Sequence, residues 1–342
     1  MSGVLAALLT RGAAFDAEYQ GGLSNHLPMA LVALHRLGAS DVRLNLFAGR
    51  YATRLETAPA PATWPAGDAW QGRFGQREAW PAYRQHFAEW LRHEDAGSVL
   101  LAALPPLLAG CGGAAFHGLI RCAYAVRMAQ ETGHETELAD ALAYWACRHL
   151  RLATLATNTG SLDVAELLAS LPATPSDAPL IFQRMRLVAA APKFAATVAR
   201  LRIDAGTLPA LALQAAALYA GSGNFVTLHL VTSAHALRVL LPFVDEPLHA
   251  VRDYACAYAA AHVAAAASPG AMPRLLPWKT IIESAVASDD EHVIKLVDSC
   301  VEQRAIYGGR AWRQAASRAV MNAAPAPPAT PRSRRSSTAA RG

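Results

Sequence analysis

AGTLPALALQAAALYAGSGNFVTLHLVTSAHALRVLL, residues 205–241, contains no Asp, Glu, Lys or Arg before Arg238. Such a run is either membrane-spanning or buried in a protein core. Two features favour the core. Gly221-Ser222-Gly223-Asn224 cuts the run in two. Each half also carries alanines or polar groups, His229 and His235 among them. The stretch therefore predicts two buried helices, 208–220 and 225–241, and no membrane association.

Working outward, the same helical spacing of apolar residues recurs along the chain. It predicts helices at 27–37, 114–130, 135–157, 181–200, 247–267, 278–287 and 290–305. A further helical stretch, 82–110, is expected to end at Leu104-Pro105-Pro106. Ser24 or Asn25 is placed to cap the 27–37 helix, and Pro172 to Pro179 reads as a linker. No run alternates at period two for long enough to be a strand, and no fixed-period repeat marks a solenoid. The expected fold is all-α, one large helical domain over 1–323. Residues 50–80, rich in Pro and Trp, read as an irregular loop placed to cover a pocket. Residues 1–10 are expected to pack poorly. Residues 324–342, rich in Pro, Ser and Arg, read as a disordered tail.

Composition supports a large core: 53% of the 342 residues are hydrophobic and 17% charged. The net charge of +5 does not point to nucleic acid. The tail alone holds Arg332, Arg334, Arg335 and Arg341 with no acid, leaving 5 − 4 = +1 for the rest. The five cysteines are an odd number without CxxC spacing, as expected of reduced buried thiols. The N-terminus lacks a basic segment and a clear cleavage site, so no signal peptide and a cytoplasmic location are expected.

The chemistry lies in the histidines. The chain has 12, and His26, His117, His229 and His292 all sit among apolar neighbours. A lone buried histidine is usually a satisfied core residue. Several from distant segments each need a partner, and convergence on one metal would satisfy them together; imidazole suits zinc, copper, iron and nickel. No HExxH or HxH spacing appears. His229 and His235, six residues apart, face about 120° apart on a helix, so one of them faces a given centre. His292 and Lys295 share a helix face, as do His117 and Arg121.

Lysine is rare here: 3 of the 31 basic residues, Lys193, Lys279 and Lys295. A lysine on an apolar helix face in such a chain invites a chemical reason. When buried, its amine loses its proton readily and can take up carbon dioxide as a carbamate, an anionic oxygen ligand. The alternative is a snorkelling side chain with its head in water.

The segments NHLPMALVALHRLG (25–38), FHGLIRCAYAVR (116–127), ELADALAYWA (137–146), TLHLVTSAHALRVLLP (227–242) and DDEHVIKLV (289–297) together resemble the questin oxidase-like family. That resemblance implies an oxidoreductase performing Baeyer–Villiger-like or ring-cleaving oxygenation of an aromatic or polyketide-like substrate with dioxygen. Monooxygenase and dioxygenase outcomes both stay open. It also implies a mononuclear non-haem iron centre, Fe(II), held by His26, His117, His229 and His292 with Lys295 as a carboxylated lysine. His235 is the alternative to His229. Asp289 and Glu291 read as helix-cap or surface groups. The family's association with NADPH makes it the expected electron donor. The chain lacks a Rossmann-type GxGxxG, so NADPH would act through a partner or a different site. Arg121 and Tyr124 are candidates to orient a phenolate or carbonyl, unless Arg121 pairs with an acid and Tyr124 packs. The competing functional reading is a non-catalytic helical binding or scaffold protein whose histidines satisfy core hydrogen bonds.

Overall fold

Helical spacing becomes helix through most of the chain. The computed structural model describes residues 3–65, 69–133, 135–153 and 160–323. Its helices run α1 (Gly3–Gly12), α2 (Leu27–Arg36), α3 (Asp41–Ala52), α4 (Trp80–His93), α5 (Ala96–Leu108), α6 (His117–Thr132), α7 (Thr136–Cys147) and α8 (Val164–Ser170). They continue with α9 (Ile181–Ala189), α10 (Phe194–Val198), α11 (Thr207–Ser222), α12 (Phe225–Leu240), α13 (Pro247–Ala265), α14 (Trp278–Ala287), α15 (Glu291–Tyr307) and α16 (Ala311–Asn322). Among the described residues the only strands are β1 (Glu18–Tyr19) and β2 (Leu23–Ser24), an antiparallel pair just before α2.

The uncharged stretch folds as a helix pair. Gly223 takes a φ of +61°, ending α11 in the left-handed conformation that glycine adopts without a Cβ penalty. Asn224 then accepts from the N–H groups of Val226 (2.9 Å) and Thr227 (3.2 Å), satisfying two donors that open α12. Phe225–Phe243 is the one described helix long and apolar enough to cross a membrane, and 78% of it is buried inside the protein. It packs against α6, α11, α13 and α15. Its length and composition thus reflect a central core helix. α2, α6, α12 and α15 surround one another at the centre, with α7 and α4 stacked outside α6 and α11 and α16 outside α12 and α15. The buried apolar residues, from Leu5 to Ala319, form one continuous core that includes Trp80, Trp145 and Trp312.

Several expectations are corrected. α1 is well packed: it buries Leu5, Leu8 and Leu9 and lies on α2 and α3. α5 runs through Pro105 and Pro106 to Leu108. The prolines cost the carbonyls of Leu101 and Ala102 their helical donors, and both residues are exposed, so water can replace them. The helix expected at 135–157 ends at Cys147, and 154–159 lie outside the described residues. The 181–200 stretch is two helices, α9 and α10, interrupted next to Pro192, whose ring cannot continue a helix. α3, α8 and α16 were not anticipated. α3 is capped by Ser40, and α8 by a reciprocal Asp163–Glu166 capping box.

The loop is irregular from Thr53 onward, with short 3-10 turns at Trp70–Arg73 and Arg77–Ala79. Its Trp64 packs on Tyr83 and His86, and its Trp70 on Phe87 and Trp90, so it covers α4. The expected tail lies outside the described residues.

Candidate metal centre

Four histidines from four elements meet at one place. His26 follows β2 as the cap residue of α2, where the Asn25 side chain accepts from Leu27 N–H. His117 opens α6, His229 lies on α12 and His292 is in the first turn of α15. The His26 and His117 rings stack with centroids 4.6 Å apart. His26 to His292 is 4.7 Å, His117 to His229 5.0 Å and His229 to His292 5.6 Å. One ligand atom each from His26, His117 and His292 lie within 4.8 Å of one another.

The entry to α6 is held under strain. Ala114, Ala115 and Phe116 all take positive φ, at 45°, 53° and 70°. Each left-handed non-glycine residue costs roughly 1–2 kcal/mol. The surroundings hold it there. A Cβ on Gly113 would lie 1.6 Å from the Arg148 carbonyl oxygen, and one on Gly118 2.7 Å from the Trp145 backbone. Only glycine admits so close an approach of the two segments.

Hydrogen bonding sets which ring nitrogen is free. Nδ1 of His117 meets the Ala114 carbonyl, and Nδ1 of His229 meets the Phe225 carbonyl at 2.8 Å. A carbonyl only accepts, so each Nδ1 carries the proton and donates it. The opposite nitrogens, Nε2 of both residues, are then lone pairs, and both are buried without a partner. Nδ1 of His26 is likewise buried and unpartnered. Burial holds His26 and His117 well below the usual imidazole range and His229 at about 3, with Lys295 adding repulsion at all three. These are neutral imidazoles with lone pairs that the protein does not itself satisfy. The donor chemistry fits a transition-metal ion.

Lys295 lies one turn from His292 on α15 and is 1% exposed. Burial pulls its amine down to about 8, against the opposing pull of Glu291 and Asp290. His235 points elsewhere: its Nε2 meets Glu302 at 2.9 Å and its Nδ1 meets Ser299 at 3.2 Å. The ring at the centre is therefore that of His229.

Glu291 is a correction to the sequence reading. Asp290 is the cap, accepting from His292 N–H at 2.8 Å, and Asp289 pairs with Arg43 and Arg50. Glu291 instead turns inward and is buried. Its Oε1 lies 3.6 Å from His26 Nδ1 and 3.9 Å from His292 Nδ1, and its Oε2 lies 3.3 Å from Arg54. The cap Asp290 is exposed, and only Glu291 beside it is turned in toward His26, so the signal was local and the outcome tertiary.

A cavity of about 350 Å³ opens from this cluster. His26, His117, His229, His292 and Glu291 line one part of it. Tyr19 and Leu23 of the hairpin, Phe225, and the Pro179–Phe182 segment with Arg184 line the rest. The cover thus comes from the hairpin and the start of α9, and no described residue of 50–80 lines it. Arg121 and Tyr124 do not line it either. Arg121 donates from Nε and Nη2 to Glu137 at 2.5 and 3.1 Å, and Tyr124 donates to Asp298 at 3.0 Å. All five cysteines are buried and free.

A family model described as Questin oxidase-like matches residues 23–300, a span that contains every residue of the cluster. No curated protein matches the chain.

Proposed function

The chain belongs to the questin oxidase-like family, whose members are oxidase-type oxidoreductases, and from that premise we propose that it is a non-haem iron-dependent oxygenase of aromatic or polyketide-like substrates. One observation supports this above the others. Buried, unpartnered ring nitrogens of His26, His117 and His229 come together from distant segments, beside His292. A scaffold protein would have no use for lone pairs left unsatisfied in its core.

His26, His117, His229 and His292 would hold the iron. Ferrous iron there would supply the activation of dioxygen. Four imidazole ligands bring no negative charge, and a divalent cation in a buried site is costly without one. Lys295 would provide it as a carbamate. Its neutral amine attacks carbon dioxide, an N–C bond forms, one C=O π bond becomes the carboxylate, and the amine releases one proton. Glu291 is a second anion, turned toward His26 and His292 and tethered by Arg54. The apolar walls at Leu23, Phe182 and Phe225 would hold a planar ring against the cluster. NADPH would deliver electrons through a partner or a site outside this cavity. Arg121 and Tyr124 would act by fixing α6 against α7 and α15. A cytoplasmic location fits the free thiols.

Elemental analysis of the purified protein tests the reading. About one iron per chain is expected, falling to background in His117→Ala and His229→Ala. Protein that folds fully yet binds neither iron nor any other divalent transition metal would leave only the binding or scaffold reading.

A further inference from the structure

Arg36, Arg43, Arg54, Arg77, Arg84 and Arg121 each pair with a carboxylate. Arg252 and Arg184 instead carry a buried Nε with no hydrogen-bond partner, and of these two it is Arg184 that lines the cavity. It lies in the second turn of α9. Among the described residues no carboxylate forms an ion pair with it. The only acid among the described residues of the cavity wall is Glu291, which Arg54 already engages. A buried guanidinium donor left unmet carries a desolvation cost that a bound anion would relieve. Its planar fork matches an anionic oxygen group better than a point charge would.

The rest of the wall limits what carries that anion. Phe182 and Phe225 are aromatic, and Leu23, Leu180 and Ile181 are apolar. At about 350 Å³ the cavity falls in the usual range of small-molecule pockets and has room for fused aromatic rings.

We infer that Arg184 selects the substrate, which is a planar aromatic anion presenting a carboxylate or an ionised phenol to this guanidinium while its ring lies between the apolar wall and the histidines. The inference rests on reading the cavity as the substrate site. It adds that the substrate is charged and that one residue recognises the charge.

Calorimetric titration of the full chain with three naphthalene probes tests it: 2-naphthoate, its neutral methyl ester, and a nitro-substituted naphthol ionised at neutral pH. The wild type should bind at least one of the two anions tenfold or more tighter than the ester. In Arg184→Gln that anion should fall to the affinity of the ester, while the ester itself is unchanged; Arg184→Lys should keep part of the preference. Preference for naphthoate identifies a carboxylate, and preference for the naphthol a phenolate; either supports the inference. Equal binding of anions and ester by the wild type overturns it. So does an Arg184→Gln variant in which all three probes weaken alike, since that is the mark of a structural role. Iron content measured on the same samples separates the two readings. A protein without iron that still discriminates through Arg184 fails as an oxygenase and keeps the anion site.

Discussion

At the scale of single residues, the site is defined by convergence. The half-buried His149 meets the Pro106 carbonyl, and the buried His235 meets Glu302 and Ser299. His86 Nε2 and His262 Nδ1 are buried without a partner, yet neither joins a cluster of histidines among the described residues. His117 and His229 spend one nitrogen on the backbone and leave the other open. If Lys295 acts as a carbamate, Lys295→Arg keeps the positive charge and removes the chemistry. Iron content should drop from about one to below a tenth per chain, and Lys295→Glu should recover part of it. Iron at wild-type levels in Lys295→Arg would assign the anionic role to Glu291 alone. The same residues predict a pH response. His229 titrates near 3 when folded against 6.5 as a free side chain, and His26 and His117 are shifted the same way. Between those values the unfolded chain binds more protons, so stability is full above about 6.5 and falls with acid. The slope is about 1.4 kcal/mol per pH unit for each histidine still neutral in the fold. Denaturant titration of metal-free protein from pH 7 to 5 should show this loss, reduced when all three histidines become alanine.

At the scale of elements, the helices around the site were legible wherever the local pattern decided the outcome. α2, α12, α14 and α15 fall within two residues of their expected ends, because Asn224, Asp290 and the glycine breaks act locally. α1 and α16 were not legible, because short helices take their stability from the core they dock on. The inward turn of Glu291 was hidden for the same reason: its neighbour Asp290 stays exposed, and only the tertiary approach of His26 distinguishes the two acids. The same holds for the cover. Trp64 and Trp70 made the 50–80 loop look like a lid, yet their rings belong to α4, and α9 does the covering. The left-handed turn before His117 is the element least readable from sequence, since nothing in GGAAFH announces three positive φ angles. Its strain is measurable. Ala114→Gly should stabilise the fold by about 0.5–1 kcal/mol, the relief of left-handed strain exceeding the added chain entropy. Ala114→Val should destabilise it by more than that, and denaturant midpoints of the two variants check the sign.

At the scale of the whole molecule, the cluster ties together α2, α6, α12 and α15, the four helices at the centre of the core. An ion held there would act as a cross-link between them. Removing it with a chelator should leave the helical signal of the folded protein in place, since the core is apolar without it. The melting temperature should fall by roughly 5–10 °C relative to protein in thousandfold excess of metal over Kd. An unchanged melting temperature would mean that the ion binds folded and unfolded chains alike. The spread of the four histidines, from 26 to 292, was readable from the chain, as was the burial of His26, His117 and His229; His292 is half-buried. Their meeting point was not readable, because sequence spacing carries no information about which buried faces turn toward one another.

That spread has a consequence in the order of synthesis. His26 and His117 leave the ribosome first, and the 63 residues separating His229 from His292 (292 − 229) take roughly 3–13 s to translate at ordinary rates. During that interval the nascent chain can offer an ion at most three of the four imidazoles of the cluster, which favours whichever divalent metal binds nitrogen most avidly. The last histidine, with Lys295 and Glu291 beside it, arrives with α15. The oxygen donors that favour iron over copper or nickel would thus be delivered together and last, so the identity of the bound metal would be decided by the final stage of translation.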